Sequence, residues 1–451
     1  MNYGKYNINI NKLISIAVIV GAVFVNANSQ ENPIPLRFEE ALKMALTDDP
    51  GLMARENRIK IDEYGVSESV ANFNPRLDIF SSYSRSSLES EIEFFNPLTS
   101  GTERIGLFPE DKYNFGITLS HNFFTFGKRS ALKRAGKLGI DISKLEKEEY
   151  KRSLYDKLAR IFLKSLLTRD NLTIRRNNVS RARKKLEIVR SMISEGLASD
   201  YDSIRAELLV SRYESDLNIS EEEYTDVRAD LKALLNMEQT EEIMPIGDLK
   251  LFETAVPESP ESDIRENIDI LKLEKSIEIQ DEFAKYHKRT FFPSLSYSAS
   301  YNWQNGYQPD LDRIKDFWTV GLSLNMNLFD GGGRRSRVAR ARYESRRAGN
   351  LRSDLALRIK ADIKSSQLQI AAAEDEIVLA QKRLELAGKG LEIAEARYRE
   401  GFLSISDLLD SELEKAEAEM GLNLSVYRLA LARLNLKSAA GYYPEIDNSL
   451  D

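Results

Sequence analysis

The sequence repeats itself at a fixed spacing. Glu195-Gly196 recurs as Glu400-Gly401, Ser199 as Ser404 and Asp202 as Asp407, each pair 205 positions apart. The same offset carries Phe115-Gly116-Ile117-Thr118-Leu119, then Phe124 and Gly127, onto Val320-Gly321-Leu322-Ser323-Leu324, Phe329 and Gly332. Upstream, Asn74-Pro75-Arg76-Leu77 answers Phe292-Pro293-Ser294-Leu295 at an offset of 218. A longer loop between the paired strands of the first copy accounts for the change. Chance similarity between low-complexity helices does not hold one offset across strand, glycine turn and helix break. The chain is therefore two copies of one strand–helix module.

Each copy holds two strands with period-2 alternation. Ser294, Ser296, Ser298, Ser300 and Asn302 alternate with Leu295, Tyr297, Ala299, Tyr301 and Trp303. The partner run sets Thr319, Gly321, Ser323 and Asn325 against Trp318, Val320, Leu322 and Leu324. In the first copy Asn114, Thr118, Ser120 and Asn122 oppose Phe115, Ile117, Leu119 and Phe123. One face is Ser/Asn/Thr and the other aliphatic, with aromatics towards the strand ends. A soluble half-buried sheet shares the alternation, but strands of about ten residues with aromatic ends favour a membrane barrel with a wet lumen. The segments joining the strands, Ser84 to Lys112 and Gln304 to Asp316, read as surface loops. The first is long enough to project or to fold back over a pore mouth.

The remainder reads as helix. Proline is absent between Pro109 and Pro245 and between Pro309 and Pro444. Lys128 to Glu195 and Arg334 to Glu400 each promise roughly 100 Å of helix at 1.5 Å per residue. Both break at a glycine, Gly196 or Gly401, where φ > 0 or close packing lets the chain reverse, and resume through Leu235 and Ala440. Leu384, Ala387, Leu391, Ala394 and Tyr398 step by three and four, as do Ala418, Leu422, Ser425, Leu429, Ala432 and Leu436. This Ala/Leu seam suits a coiled-coil array. Shorter helices precede the strands, from about Phe38 to Ala71 and Ile264 to His287.

At the N-terminus, Lys5 and Lys12 precede an apolar run from Leu13 to Val25, and Val25-Asn26-Ala27 offers small residues for cleavage. This reads as a signal peptide, too short for a spanning helix. No later stretch reaches 18 apolar residues, so membrane entry would need strands. The expected organisation is a signal peptide over 1–27, a first repeat over 28–244, a linker over 245–262, a second repeat over 263–441 and a C-terminal tail over 442–451. Cysteine is absent, which leaves no disulfide and no lipid-modified anchor. The net charge of −7, spread along the chain, gives a nucleic-acid partner no support.

Little in the sequence suggests catalysis. The two histidines, His121 and His287, lack metal-ligand spacing. Gly331-Gly332-Gly333 lacks the Lys-Ser/Thr of a phosphate loop and reads as a strand-to-helix joint. Neither cofactor nor metal is expected. One acidic group stands out beyond Gly401: Ser404 or Ser406 can cap the resuming helix, with Asp407 and Asp410 one turn apart on one face. Capping and dipole stabilisation, about 0.3–1 kcal/mol each, is the plain explanation of those aspartates.

Leu36-Arg37-Phe38-Glu39-Glu40-Ala41-Leu42 followed by Asp49-Pro50, the strand-opening Pro75 and Pro293, and Leu328-Phe329-Asp330-Gly331-Gly332 resemble the TolC-like outer-membrane efflux protein family. Tyr398-Arg399-Glu400-Gly401 with Ser406-Asp407-Leu408-Leu409-Asp410 is the most specific part of that resemblance. It implies a mainly helical, membrane-β chain that assembles as a homotrimer: a 12-stranded β-barrel, four strands per chain, continued by a periplasmic helical tunnel. Strand arithmetic agrees: four strands cannot close a membrane barrel, and eight leave a lumen filled by side chains. The resemblance also implies an outer-membrane channel for efflux or type I secretion, with outer-membrane lipid, a periplasmic adaptor protein and an inner-membrane pump as partners. By it, Asp202, Tyr398, Asp407 and Asp410 match a periplasmic gate, and Gly196 and Gly401 mark the hairpin tips. The chain departs from the pattern at Leu403, where a basic residue can tie such a gate shut, and at Tyr201, which replaces a smaller polar residue. A periplasmic adaptor would need one helical hairpin and compact β domains, and a structural coiled-coil envelope protein would need no alternating strands. An exported enzyme has least to support it.

Overall fold

The computed structural model describes residues 33–47, 49–87, 91–97, 101–249 and 266–443. The signal peptide expected over 1–27, most of the linker and the tail beyond Tyr443 lie outside the described residues. In chain order the elements are β1 Ile34–Leu36, α1 Phe38–Thr47, α2 Pro50–Ala71, β2 Arg76–Arg85, β3 Glu91–Asn96, β4 Gly101–Gly106, β5 Asp111–Phe124, α3 Lys128–Ser194 and α4 Asp200–Leu234. Then follow β6 Ile243–Pro245, α5 Ile268–Arg289, β7 Ser294–Gln304, β8 Lys315–Asn325, α6 Gly333–Arg399 and α7 Ile405–Ala440.

The four expected strands form one antiparallel sheet in the order β2-β5-β7-β8, so the two copies join where β5 pairs with β7. Register aligns the faces: Leu77 lies beside Leu119, Leu119 beside Ala299 and Ala299 beside Val320. The apolar residues thus make one continuous surface of Leu77, Ile117, Leu119, Ala299, Trp303 and Val320. The other face carries Thr118, Ser298, Ser300 and Ser323. Leu322 and Trp318 are 74% and 71% exposed, as lipid-facing side chains of a lone subunit should be. β2 and β8 are the outer strands, and each pairs on one side only within the chain.

Below the sheet, α3 and α6 run 67 residues each. Their return helices are about half as long, 35 residues in α4 and 36 in α7. The short helices fill the difference: α2 packs on α3 and α5 on α6 along the half nearer the sheet. Where the return helices end sits the main core, with Tyr155, Leu158, Phe162 and Leu166 of α3 fully buried against Phe38 and Leu42 of α1, Leu231, Leu434 and Tyr443. The seam also forms, since Leu391, Ala394, Tyr398, Ala418, Leu429 and Leu436 are buried.

Three details differ from the expectation. The helix read from Phe38 to Ala71 is two helices, because Asp49 caps α2 through a 2.8 Å bond from the Leu52 amide and Pro50 opens it. The loop read from Ser84 to Lys112 contains a hairpin, β3 paired with β4, and β5 begins already at Asp111. Finally, Ile34–Leu36 pairs in parallel with Ile243–Pro245. Strands of three residues are too short to show a period.

Candidate functional site: the helical tips

Both long helices end in the same way, far from the sheet. Gly196 at φ +75° and Gly401 at φ +77° follow the last helical turns, with open space where a Cβ would lie. Left-handed backbone, rather than close approach, is therefore what selects glycine here. At the first tip the Leu197 amide donates to the Met192 carbonyl and the Gly196 amide to the Ile193 carbonyl. At the second, Phe402 bonds to Arg397 and Gly401 to Tyr398 in the same pattern. This is the Schellman arrangement, which satisfies carbonyls that a helix end leaves open.

The return helices begin alike too. In α4, Asp202 accepts from the Ser199 amide at 2.9 Å while Ser199 Oγ accepts from the Asp202 amide, a full capping box. In α7, Ser404 Oγ accepts from the Asp407 amide and donates to Asp407 Oδ2 at 2.6 Å. Of the two serines considered as caps, Ser404 is the one that serves. Asp410, one turn on, is exposed, as is Asp407.

The two hairpins meet through a second apolar cluster that includes Val189, Leu209, Leu391, Tyr398, Ile405 and Leu408. Tyr398 is buried here, and its hydroxyl finds no partner among the described residues. Burial and then the nearby Asp202 charge push its phenol above the usual value. The structure thus brings Asp202 and Tyr398 within electrostatic reach, while Asp407 and Asp410 face outward from the chain. Leu403 packs against the cluster, so an apolar contact stands at that position.

Beside this cluster lies a set of charges that the sequence reading missed. Lys185 of α3 bonds to Glu412 of α7 at 2.5 Å and to Glu395 of α6 at 3.1 Å. Glu412 is 5% exposed. Arg181, one turn from Lys185, pairs with Glu419 at 3.0 Å. Tyr213 is buried next to these groups, its phenol pushed up to about 12 by burial and then by the Glu412 charge. The available signal was a Lys and an Arg four residues apart on the stripe of α3 that also carries Val179, Ala182 and Val189. Among the described residues, no group of three His, Cys, Asp or Glu could hold a metal ion, and no helix is long and apolar enough to cross a membrane.

A family model described as "Outer membrane efflux protein" matches residues 41–237 and 261–442, one segment for each copy. No individual curated protein matches in sequence. Among solved structures, the outer membrane protein VceC of Vibrio cholerae aligns with a TM-score of 0.73 at 18% identity, covering 90% of this chain and 96% of that one. The CmeC outer membrane channel of Campylobacter jejuni gives 0.73 at 17%, over 91% and 88%. The open state of the MtrE outer membrane channel of Neisseria gonorrhoeae gives 0.72 at 16%, over 90% and 89%. These likenesses cover about nine tenths of the chain and show a shared fold. The chain belongs to the outer membrane efflux protein family, as a channel subunit of the outer membrane that reaches into the periplasm.

Proposed function

We propose that three copies of this chain close a 12-stranded barrel and continue it as a helical tunnel, whose tips dock a periplasmic adaptor fed by an inner-membrane pump. The observation that carries the reading is the four-stranded sheet: one largely apolar face, one largely polar face and two outer strands each paired on one side. Such edges need partners, and closure is the only arrangement that satisfies them in lipid. Three copies give the first ring whose lumen is wide enough for a conduit.

The tips are the proposed periplasmic gate. Tyr398 packs the second hairpin against the first with Asp202 nearby, and the three copies of Asp407 and Asp410 stack as two acidic rings around the axis. Gly196 and Gly401 form the turns that meet the adaptor. Rings of carboxylates concentrate cations, so the pore should be cation-selective and blocked by multivalent cations from the tip side. Detergent extraction from outer membranes should yield a trimer band that collapses to monomer on heating. A monomer at every temperature, with no conductance in planar bilayers, would reject the assembly. Efflux of small solutes and export of polypeptides would use the same duct, and crosslinked co-purification of the docked pump separates the two.

A further inference from the structure

Where the sheet meets the long helices, the chemistry of the surface changes twice within a few residues. Apolar side chains come first: Phe126, Phe292, Leu328 and Phe329 are exposed at the strand ends, with Phe126 and Phe292 stacked at 5.4 Å. Cations follow directly. No carboxylate separates Lys128 from Asp141 in α3 or Gly333 from Glu344 in α6, although each stretch holds five Lys or Arg residues. The far ends of the strands differ, because there Glu110, Asp111, Asp310, Asp312 and Asp316 are mixed with Arg85, Lys112, Arg313 and Lys315. In a chain with a net charge of −7, this is a local inversion of sign.

Some of these cations are used within the chain. Arg334 and Arg337 pair with Asp330, Arg134 pairs with Glu282, and Arg289 donates to the Gly127 carbonyl at 2.6 Å. Lys133, Lys137, Lys288, Arg335, Arg340 and Arg342 are exposed and make no ion pair among the described residues. The helix dipole accounts for Lys288, in the last turn of α5, but not for Arg335, because positive charge in the first turn of a helix opposes the macrodipole.

We propose that these six free cations form a collar that binds the phosphates of anionic phospholipids, in the leaflet bordering the helical end of the sheet. The inference rests on the sheet lying in the bilayer and is independent of the gate. Exposed aromatics at strand ends mark the edge of the hydrocarbon. The first ten residues of each helix then extend about 15 Å beyond it, through the headgroup layer and just past it. Long Lys and Arg side chains reach back to that layer from either face of a helix. Both copies contribute, Lys133 and Lys137 from the first and Arg335, Arg340, Arg342 and Lys288 from the second. The surface is therefore a belt around the junction, suited to many lipids and not to one bound molecule. Each cation close to an anionic surface adds to the attraction, which salt screens.

The test uses full-length protein in zwitterionic detergent, titrated with phosphatidylglycerol, phosphatidylcholine or inorganic phosphate while heat resistance of the assembly is followed. Phosphatidylglycerol should raise the melting midpoint, phosphatidylcholine and free phosphate should not, and high salt should shrink the effect. The combined variant Lys133→Gln, Arg335→Gln, Arg340→Gln, Arg342→Gln should need at least about tenfold more phosphatidylglycerol for the same shift. A control with Lys184→Gln, Arg212→Gln, Lys360→Gln and Lys364→Gln, all farther down the helices, should respond like the native chain. Equal stabilisation by the two lipids, or by free phosphate, overturns the proposal. So does a variant that keeps its lipid response but changes anion conductance, which would place the cations in the lumen. If the variant does not assemble, the comparison of lipids on the native chain decides alone.

Discussion

Lys185 ties the two hairpins together from within their contact. Its ammonium is held by Glu412 and Glu395 with 12% of the side chain exposed, so removing it strands a buried carboxylate. Lys185→Met should cost about 3–5 kcal/mol at the tip, and adding Glu412→Leu should recover much of that. Hydrogen exchange of the first turns of α7 checks both. The buried phenols give a pH dependence. Tyr398 and Tyr213 are raised by burial, so their neutral forms favour the packed state. Their contribution is complete below the ordinary phenol value of about 10 and is lost as pH rises through the raised values. For Tyr213 that loss is centred at about 12. The tip should loosen in alkali before the main core does, and Asp202→Asn should lower the Tyr398 value, read by phenolate absorbance against Tyr398→Phe. At this scale the sequence was only partly legible. Gly196, Gly401 and Ser404 were readable because backbone reversal and capping are local. Lys185 and Glu412 lie 227 residues apart, and nothing local says that they meet.

Alternation made the strands the most readable elements. Leu322 and Ser323 are neighbours in sequence yet stand on opposite faces of β8. Leu322→Arg or Leu324→Arg should hinder assembly by about 2–4 kcal/mol near the bilayer midplane, while Ser323→Arg or Asn325→Arg should assemble and alter conductance. Equal tolerance on both faces, measured as yield of heat-modifiable oligomer, would remove the membrane assignment. Among the turns, Gly401 at φ +77° predicts that Gly401→Val strains the backbone by more than the 1–2 kcal/mol typical of an L residue there. A normal trimer with normal export in that variant would free the tip from its proposed docking role. The long helices were legible in extent to within a few residues, but the division of Phe38 to Ala71 into two helices and the partners of each helix were not. That α2 and α5 fill the half of each long helix left bare by the return helix follows from packing, which a single stripe of apolar residues does not address.

At the scale of the whole molecule, the duplication decides the architecture: two strands and one hairpin per copy, joined edge to edge between β5 and β7. Asp407→Asn with Asp410→Asn should lower cation selectivity and abolish multivalent block while leaving the assembly intact, as single-channel recording would report. Unchanged selectivity and block would return both aspartates to stabilising the start of α7. The pairing of Ile34–Leu36 with Ile243–Pro245 has a further consequence, for how the chain is made. A chain that crosses a membrane N-terminus first delivers Ile34 about two hundred residues before its partner arrives, and the core around Phe38 waits longer still, for Leu434 and Tyr443. Until translocation is complete, the core around Phe38, Leu42 and Phe162 lacks the part of its packing that Leu434 and Tyr443 supply. An unfinished chain is therefore marked by its own exposed apolar surface, open to chaperones and proteases. Only a whole subunit can complete both this latch and the core behind it.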